Sequence, residues 1–388
     1  MQITTRATEW HHDFQRYAAD LYPGRYTMDF CHELAALAEE IRALAAERQS
    51  TIAAHYYTYP EVQAVADVIG DSLKLSRAIH AAQAPRVDFA SVFFMGETAK
   101  ITTGDTTRVF VQDTPETLGC SLVFGTDLTW IRRWRAKHPD GIIITYVNSS
   151  AYTKSLSDYI STSRNTDLVI ATAARAHPGC PILVLPDKYL GHVMRQRAAM
   201  RYGVDPDQVE VYQERLGVWN AACYVHEEIG PHATEAALEE DPAAELLIHP
   251  ECGCASSCLR KVQQGIIPQE RAYFCSTEQM IERARSSPAR RFIVATEKGM
   301  VYRLRKAVPE KEFVPVSAAA ECRYMKANNL EKLLRSLRED RMEIVSCDDC
   351  CDPEHPFRDE RTIHLPRSTA AGAKVAIDRM LAIPETLQ

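Results

Sequence analysis

Twelve cysteines stand in this chain of 388 residues, and two patterns among them are equipped for chemistry. In HPECGCASSC, His249 to Cys258, the thiols of Cys252, Cys254 and Cys258 follow a histidine and a glutamate, a grouping that reads at once as a metal site. The second pattern is dispersed: Cys120 in LGCSL, Cys223 in AACYVH and Cys322 in AECRYM lie 103 and 99 positions apart. Thiolates are ligands for zinc and iron as well as nucleophiles, so either set can carry a metal. Which set does so depends on the elements that position it.

Those elements repeat. Three apolar, β-branched runs end in polar residues: TIAAHYYTYPE around His55, IIITYVNSSA around Asn148, and LLIHPECG around His249. Each reads as a buried parallel strand with functional groups at its C-terminal end. After each comes a serine that opens a helical pattern: Ser72, Ser163 and Ser276. A second strand then stops at an acid: Glu97 in FFMGETAKI, Asp187 in LVLPDKYLGHV, Glu297 in FIVATEKGMVYRL. A third strand follows (TRVFVQD, VEVYQE, KEFVPV), and after it the single cysteine.

Strand-helix-strand units of this kind predict three similar three-layer α/β/α domains with parallel sheets. Arranged around a pseudo-threefold axis, they bring the strand ends and the three dispersed cysteines to one central active site. Three domains in a line, each burying its own cysteine as a small hydrophobe, is the plainer alternative. The repeat divides the chain into an N-terminal extension (1–47), units at 48–133, 134–240 and 241–340, and a tail (341–388) that packs back on them. In the third unit the strand end and its serine lie 27 positions apart, against 17 and 15 in the others. The excess falls on ECGCASSCLRKVQQG, which places Cys254 and Cys258 on an insertion without counterpart and leaves His249 and Glu251 at the strand end.

Three thiolates at one centre are one ligand short of the four that usually hold an iron-sulfur cluster, so one iron stays open as a Lewis acid. A zinc with three thiolates and a water uses the same ligands, and spacing alone leaves both open.

The segments HYYTYPEVQAVADVIGDSLKLSR, FMGETAKI, YVNSSAYTKSLSDYISTS, LPDKYLGHV, CYVHEE, HPECG, FIVATEKGMVYRLRKAVPEKEFVPV and CRYMKANNLEKL together resemble the quinolinate synthase family, in matching order from about residue 50 to 335. The resemblance implies a transferase that condenses iminoaspartate with dihydroxyacetone phosphate to quinolinate, phosphate and water in NAD biosynthesis. It implies a [4Fe-4S] cluster on Cys120, Cys223 and Cys322, with one open iron, and a functional link to an aspartate-oxidising enzyme that supplies iminoaspartate. Matched motif by motif, it places His55, Ser72, Tyr146, Val147, Asn148, Ser163, His249, Glu251 and Thr277 around the substrate. It gives Tyr57 the place of the catalytic tyrosine, and His249 and Glu251 are the acid/base candidates beside it. Hydroxyls at helix starts, with an asparagine, can bind carboxylates and phosphate without a basic patch.

Composition agrees. A net charge of −7 and a sequence pI near 6.0 argue against nucleic acid or a membrane surface as partner. No apolar run suits a signal peptide or membrane span, so a cytoplasmic enzyme is expected, where clustered thiols bind metal more often than they form disulfides.

Other features are read as architecture. His11 and His12 are expected to be solvent-exposed, and NNLEKLLRSLRED to pack its leucines on the core with Asn328 or Asn329 at its cap. Cys252, Cys254 and Cys258 are left with a redox role beside the cavity. Cys347, Cys350 and Cys351 are read as surface thiols, or as one arm of a zinc site shared with the first group.

Overall fold

The computed structural model describes residues 2–212, 221–348, 359 and 361–383. Two helices, α1 (Gln2–Ala18) and α2 (Met28–Glu47), lead into one order of elements that runs three times. The first unit is β1 (Ser50–His55), α3 (Pro60–Val65), β2 (Val68–Gly70), α4 (Ser72–Ala82), β3 (Arg86–Ala90), α5 (Phe93–Thr103), β4 (Arg108–Val111), α6 (Ser121–Phe124) and α7 (Leu128–Lys137). The second is β5 (Ile142–Tyr146), α8 (Ala151–Ser155), β6 (Tyr159–Ser161), α9 (Thr166–Ala176), β7 (Ile182–Leu185), α10 (Lys188–Tyr202), β8 (Val209–Val211), α11 (Tyr224–Glu227) and α12 (Pro231–Glu240). The third is β9 (Glu245–Ile248), α13 (Ala255–Gln263), β10 (Ala272–Phe274), α14 (Thr277–Ser286), β11 (Arg291–Ala295), α15 (Gly299–Ala307), β12 (Glu312–Pro315), α16 (Arg323–Lys326) and α17 (Leu330–Glu339). The tail adds β13 (Glu343–Cys347), β14 (Thr362–Pro366) and α18 (Arg367–Ala382).

Each unit's four strands are parallel, and the spatial order is the same three times: β2-β1-β3-β4, β6-β5-β7-β8, β10-β9-β11-β12. Helices follow the strands, as parallel crossovers require, and the strands are apolar through most of their length because both faces are covered. The order reverses beside the first strand of each unit, the place where open α/β sheets leave a crevice at their C-terminal edge.

Several landmarks sit differently from their sequence reading. FFMGETAKI is helix α5, not a strand, and the strand before it ends at Ala90. Ser163 lies three residues before α9, whose N-cap position is Asn165, whereas Ser72 opens α4 as its first residue behind the cap Asp71, which accepts the Lys74 N–H. Ser276 does cap α14, in a capping box with Gln279. The expected boundary at 133/134 falls inside α7, so the first unit ends after Lys137 on the pattern of the other two. Nor is ECGCASSCLRKVQQG without counterpart: α13 takes the place of α3 and α8 and is longer, 9 residues against 6 and 5.

The termini are built in. Phe14, Leu34 and Ile41 of α1 and α2 belong to the main core, and α2 lies on α17 and β1. His11 is half-buried and His12 exposed. In α17 the leucines at 330, 333, 334 and 337 are buried, with Asn329 as cap. Leu333→Ala there would cost about 2–5 kcal/mol. The tail extends the first sheet, β13 antiparallel to β4 and β14 parallel to β13, and α18 packs on α8, β6 and α5. Cys347, read as a surface thiol, is buried at the end of β13; Cys350 and Cys351 lie outside the described residues.

Candidate active site

The first strands of the three units end at one cavity of about 750 Å³ counting its mouth, a size suited to small metabolites. His55 ends β1, Tyr146 ends β5, and His249 follows β9; Tyr57, Val147, Asn148 and Glu251 line the same space one to three residues further on. Ser72 and Thr277 enter it as the first residues of α4 and α14, and Ser163 from the turn before α9. Three equivalent helix starts thus offer hydroxyls and N–H groups to an anion. Among the described lining residues there is no lysine or arginine. The Val147 N–H is already donated to the Ser161 carbonyl, so Val147 contributes wall rather than an amide donor.

Cys120, Cys223 and Cys322 line this cavity too, each immediately before a short helix: α6, α11 and α16. Backbone N–H groups of those helices point at the sulfurs, from Leu122, His226 and Met325 among others. Burial pushes the Cys120 thiol up to about 12, Cys322 to about 11 and Cys223 well above the ordinary range, and neighbouring thiols add to it for Cys120 and Cys223. Loss of these protons therefore needs a cation in the cavity. Among the described residues, the one trio of His, Cys, Asp or Glu ligand atoms all within 4.8 Å of one another is His226, His249 and Glu251. Three thiols facing one cavity are a donor set that zinc and an iron-sulfur cluster can both use.

The His226, His249 and Glu251 trio can take an ion by its ligand types, but its polar atoms also continue into a chain. The Tyr57 hydroxyl lies 2.7 Å from Thr296 Oγ1, which lies 3.0 Å from His226 Nε2. His226 Nδ1 and His249 Nδ1 each stand 3.2 Å from Glu251 Oε2, and Asn148 Nδ2 donates to Oε1 at 3.0 Å. The two imidazoles stack nearly parallel, centroids 4.9 Å apart. One assignment of protons orders the chain as far as His226: Tyr57 O–H to Thr296 and Thr296 O–H to His226 Nε2, which leaves the His226 Nδ1–H facing Glu251. Neither Nδ1 has hydrogen-bond alignment with the carboxylate, so both remain buried and unsatisfied and can serve an incoming group.

Electrostatics fit this assignment. Burial pushes His226 down to about 4 against the pull of Glu251, and His55 down to about 3 with help from His249, so both rings are neutral. Burial favours the neutral form of Glu251 as well, but His226, His249 and Tyr146 outweigh it and hold the carboxyl below its usual range. Burial raises the Tyr57 hydroxyl well above its ordinary value, keeping its proton in place.

Sequence reasoning did not single out His226 or Thr296. The signal for His226 was its place three residues after Cys223, on the same face of a helix turn; Thr296 directly follows β11, the strand before Glu297. The compact thiol group sits beside the cavity, behind its wall, where Cys223 and Cys322 pack against it. Cys252, Cys254 and Cys258 are fully buried in a separate apolar cluster with Val225, Leu246 and Ile293, and none lines the cavity. Cys252 Sγ lies 2.9 Å from the Ala295 carbonyl, and the neighbouring thiols of Cys252 and Cys258 hold the Cys254 thiol well below its ordinary range.

Comparison with known proteins follows the same lines. Residues 39–382 match the family model described as quinolinate synthetase A protein. The chain is 36% identical to quinolinate synthase of Pyrobaculum aerophilum over 89% of its own length and 98% of the relative's. It is 38% identical to that of Thermus thermophilus over 90% and 97%, and 36% identical to that of Mycobacterium tuberculosis over 89% and 88%. With the threefold repeat, the shared cavity and a match over nine-tenths of its length, the chain belongs to the quinolinate synthetase A family.

Proposed function

We propose that this chain is a quinolinate synthase, a transferase that joins iminoaspartate to dihydroxyacetone phosphate and releases phosphate and water, as a step of NAD biosynthesis. Family membership supports the reaction. The observation that carries the residue roles is the chain Tyr57–Thr296–His226–Glu251, opening on the cavity that three cysteines line.

Cys120, Cys223 and Cys322 would hold a [4Fe-4S] cluster. When bound, it supplies a Lewis-acid iron without a protein ligand of its own, suited to hold substrate oxygens and ease loss of water.

The protein's own groups do the rest. Ser72, Ser163, Thr277 and Asn148 hold the carboxylates and phosphate by hydroxyl, amide and helix-start N–H donors. The apolar wall of Leu73, Phe94, Met95 and Val225 keeps bulk water from the reacting centre. Tyr57 meets the substrate as proton donor or acceptor, and Thr296 and His226 form the path of that proton toward Glu251, which a small turn of the His226 ring completes. His249 is the second base on the same carboxylate, placed for the proton steps of imine formation and dehydration. Among the described residues, no helix is long and apolar enough to cross a membrane.

The test is direct. Purified anaerobically and given dihydroxyacetone phosphate with an iminoaspartate-generating system, the protein should form quinolinate; none formed by brown, iron- and sulfide-replete protein would contradict the reading.

A further inference from the structure

Tyr57 is held at two ends. Its hydroxyl is gripped through Thr296 by His226, on the helix that follows Cys223; its backbone carbonyl accepts a hydrogen bond at 2.5 Å from Lys326 Nζ, on the helix that follows Cys322. The first grip belongs to the proton chain. The second has no part in it, and it requires a lysine side chain buried to 5% exposure.

A buried ammonium is costly unless fully partnered, and here it is. Lys326 Nζ pairs with Glu297 Oε1 at 3.1 Å and faces the rings of Tyr22 and Tyr59, each at 5.2 Å. Glu297, itself wholly buried, accepts the Gly299 N–H at 2.7 Å through Oε2 and the Cys322 N–H at 3.4 Å through Oε1. The chain has reserved the space: a Cβ on Gly299 would meet Glu297 Oε2 at 2.7 Å and Lys326 Nζ at 2.8 Å.

The equivalent acids of the other units show what is special. Asp187 likewise accepts the N–H of its cysteine, Cys223, at 3.4 Å, but among the described residues no lysine or arginine pairs with it. Glu97 accepts the Ala151 N–H instead of that of Cys120. Glu97 has the buried Lys154 near it, but among the described residues only the third unit's acid forms a direct ion pair, and its cation, Lys326, bonds the first unit's strand-end loop.

We propose that Lys326, clamped by Glu297, is a positioning residue: it ties the loop that carries Tyr57 to the segment that carries Cys322, so the tyrosine and the cysteine trio keep one fixed geometry. The inference rests on the quinolinate synthase reading for its activity arm and on geometry alone for its structural arm.

The experiment compares wild type with Lys326→Met, and with the double variant Lys326→Met/Glu297→Gln, which leaves no unpaired buried charge. Hydrogen exchange is followed in the peptide spanning residues 55–59. There the Tyr57 N–H bonds to His55 Nδ1 at 3.1 Å and the Thr58 N–H to the His55 carbonyl at 3.0 Å. Both variants should speed exchange of this peptide about tenfold or more, with the α17 peptide unchanged. With cluster loaded, kcat for quinolinate should fall about 30-fold while KM moves less than about threefold. Unchanged exchange at 55–59 overturns the proposal, as does exchange that rises equally throughout the third unit, or a double variant with kcat within threefold of wild type. A wild type that makes no quinolinate counts against the reading of function, and the exchange comparison then decides the clamp by itself.

Discussion

Two sets of three thiols divide this molecule. Cys252, Cys254 and Cys258 lie within seven residues, yet they are sealed in an apolar cluster where the sulfurs serve one another and the Ala295 carbonyl. Cys120, Cys223 and Cys322 come from three units a hundred residues apart, and their sulfurs share one cavity with the strand-end histidines and tyrosines. Closeness along the chain made the first set conspicuous; the repeat in the fold gave the second set a common destination. A thiol closed in by an apolar cluster has no room beside it for a ligand, whereas one that lines open space does.

The stretch from His249 to Cys258 contains both sides of the contrast, so it is the place to break it. Glu251→Gln should lower kcat about 10²–10⁴-fold while leaving iron and sulfide in place, because it removes the carboxylate end of the proton chain. Full activity in this variant would move the chemistry away from the carboxylate. Thr296→Val interrupts the same chain at one hydroxyl and should cost about tenfold in kcat, with KM nearly unchanged; steady-state kinetics decide it, and a loss confined to KM would make Thr296 a binding residue.

Buried histidines give the cavity side a pH signature. His55 and His226 are neutral when folded, with values pushed down to about 3 and about 4, but take up protons near pH 6.5 when unfolded. Between pH 6.5 and about 4 the unfolded chain binds more protons, so stability is full above that window and is lost as pH falls through it. Each ring should contribute roughly 2 kcal/mol of loss between pH 6.5 and 5. Urea unfolding of cluster-free protein at several pH values should show this slope, and His226→Gln should make it shallower; an unaltered slope would mean that His226 is charged in the fold. The smallest effect belongs to the sealed thiols. Cys252→Ser should cost about 1–3 kcal/mol of stability by burying a more polar group while leaving kcat within about twofold. A large loss of activity at normal stability would bring that thiol into the site.

Much of this was legible from the chain. Apolar runs leading to His55, Asn148 and His249, and one cysteine after the last strand of each unit, point to one cavity because parallel units put their functional groups at the same edge. FFMGETAKI misled because Phe94 through Ile101 are all buried, and a helix covered on every side shows no 3.6-residue period. Ser163 stands two residues before the cap position of α9, since Asn165 was an equally good candidate, while Ser72 opens α4 as read. The Tyr57–Thr296–His226–Glu251 chain joins three units through side chains, and no local pattern records a contact between residues 57 and 296.

The measurement that bears most directly on the account is the iron and sulfide content of anaerobically purified protein carrying single Cys→Ser changes, the cavity set (Cys120, Cys223, Cys322) beside the sealed set (Cys252, Cys254, Cys258). Each change in the cavity set should strip the brown chromophore and its matched iron and sulfide, while each change in the sealed set should leave them near wild type. Loss of the cluster from the sealed set, with the cavity set intact, would contradict the account.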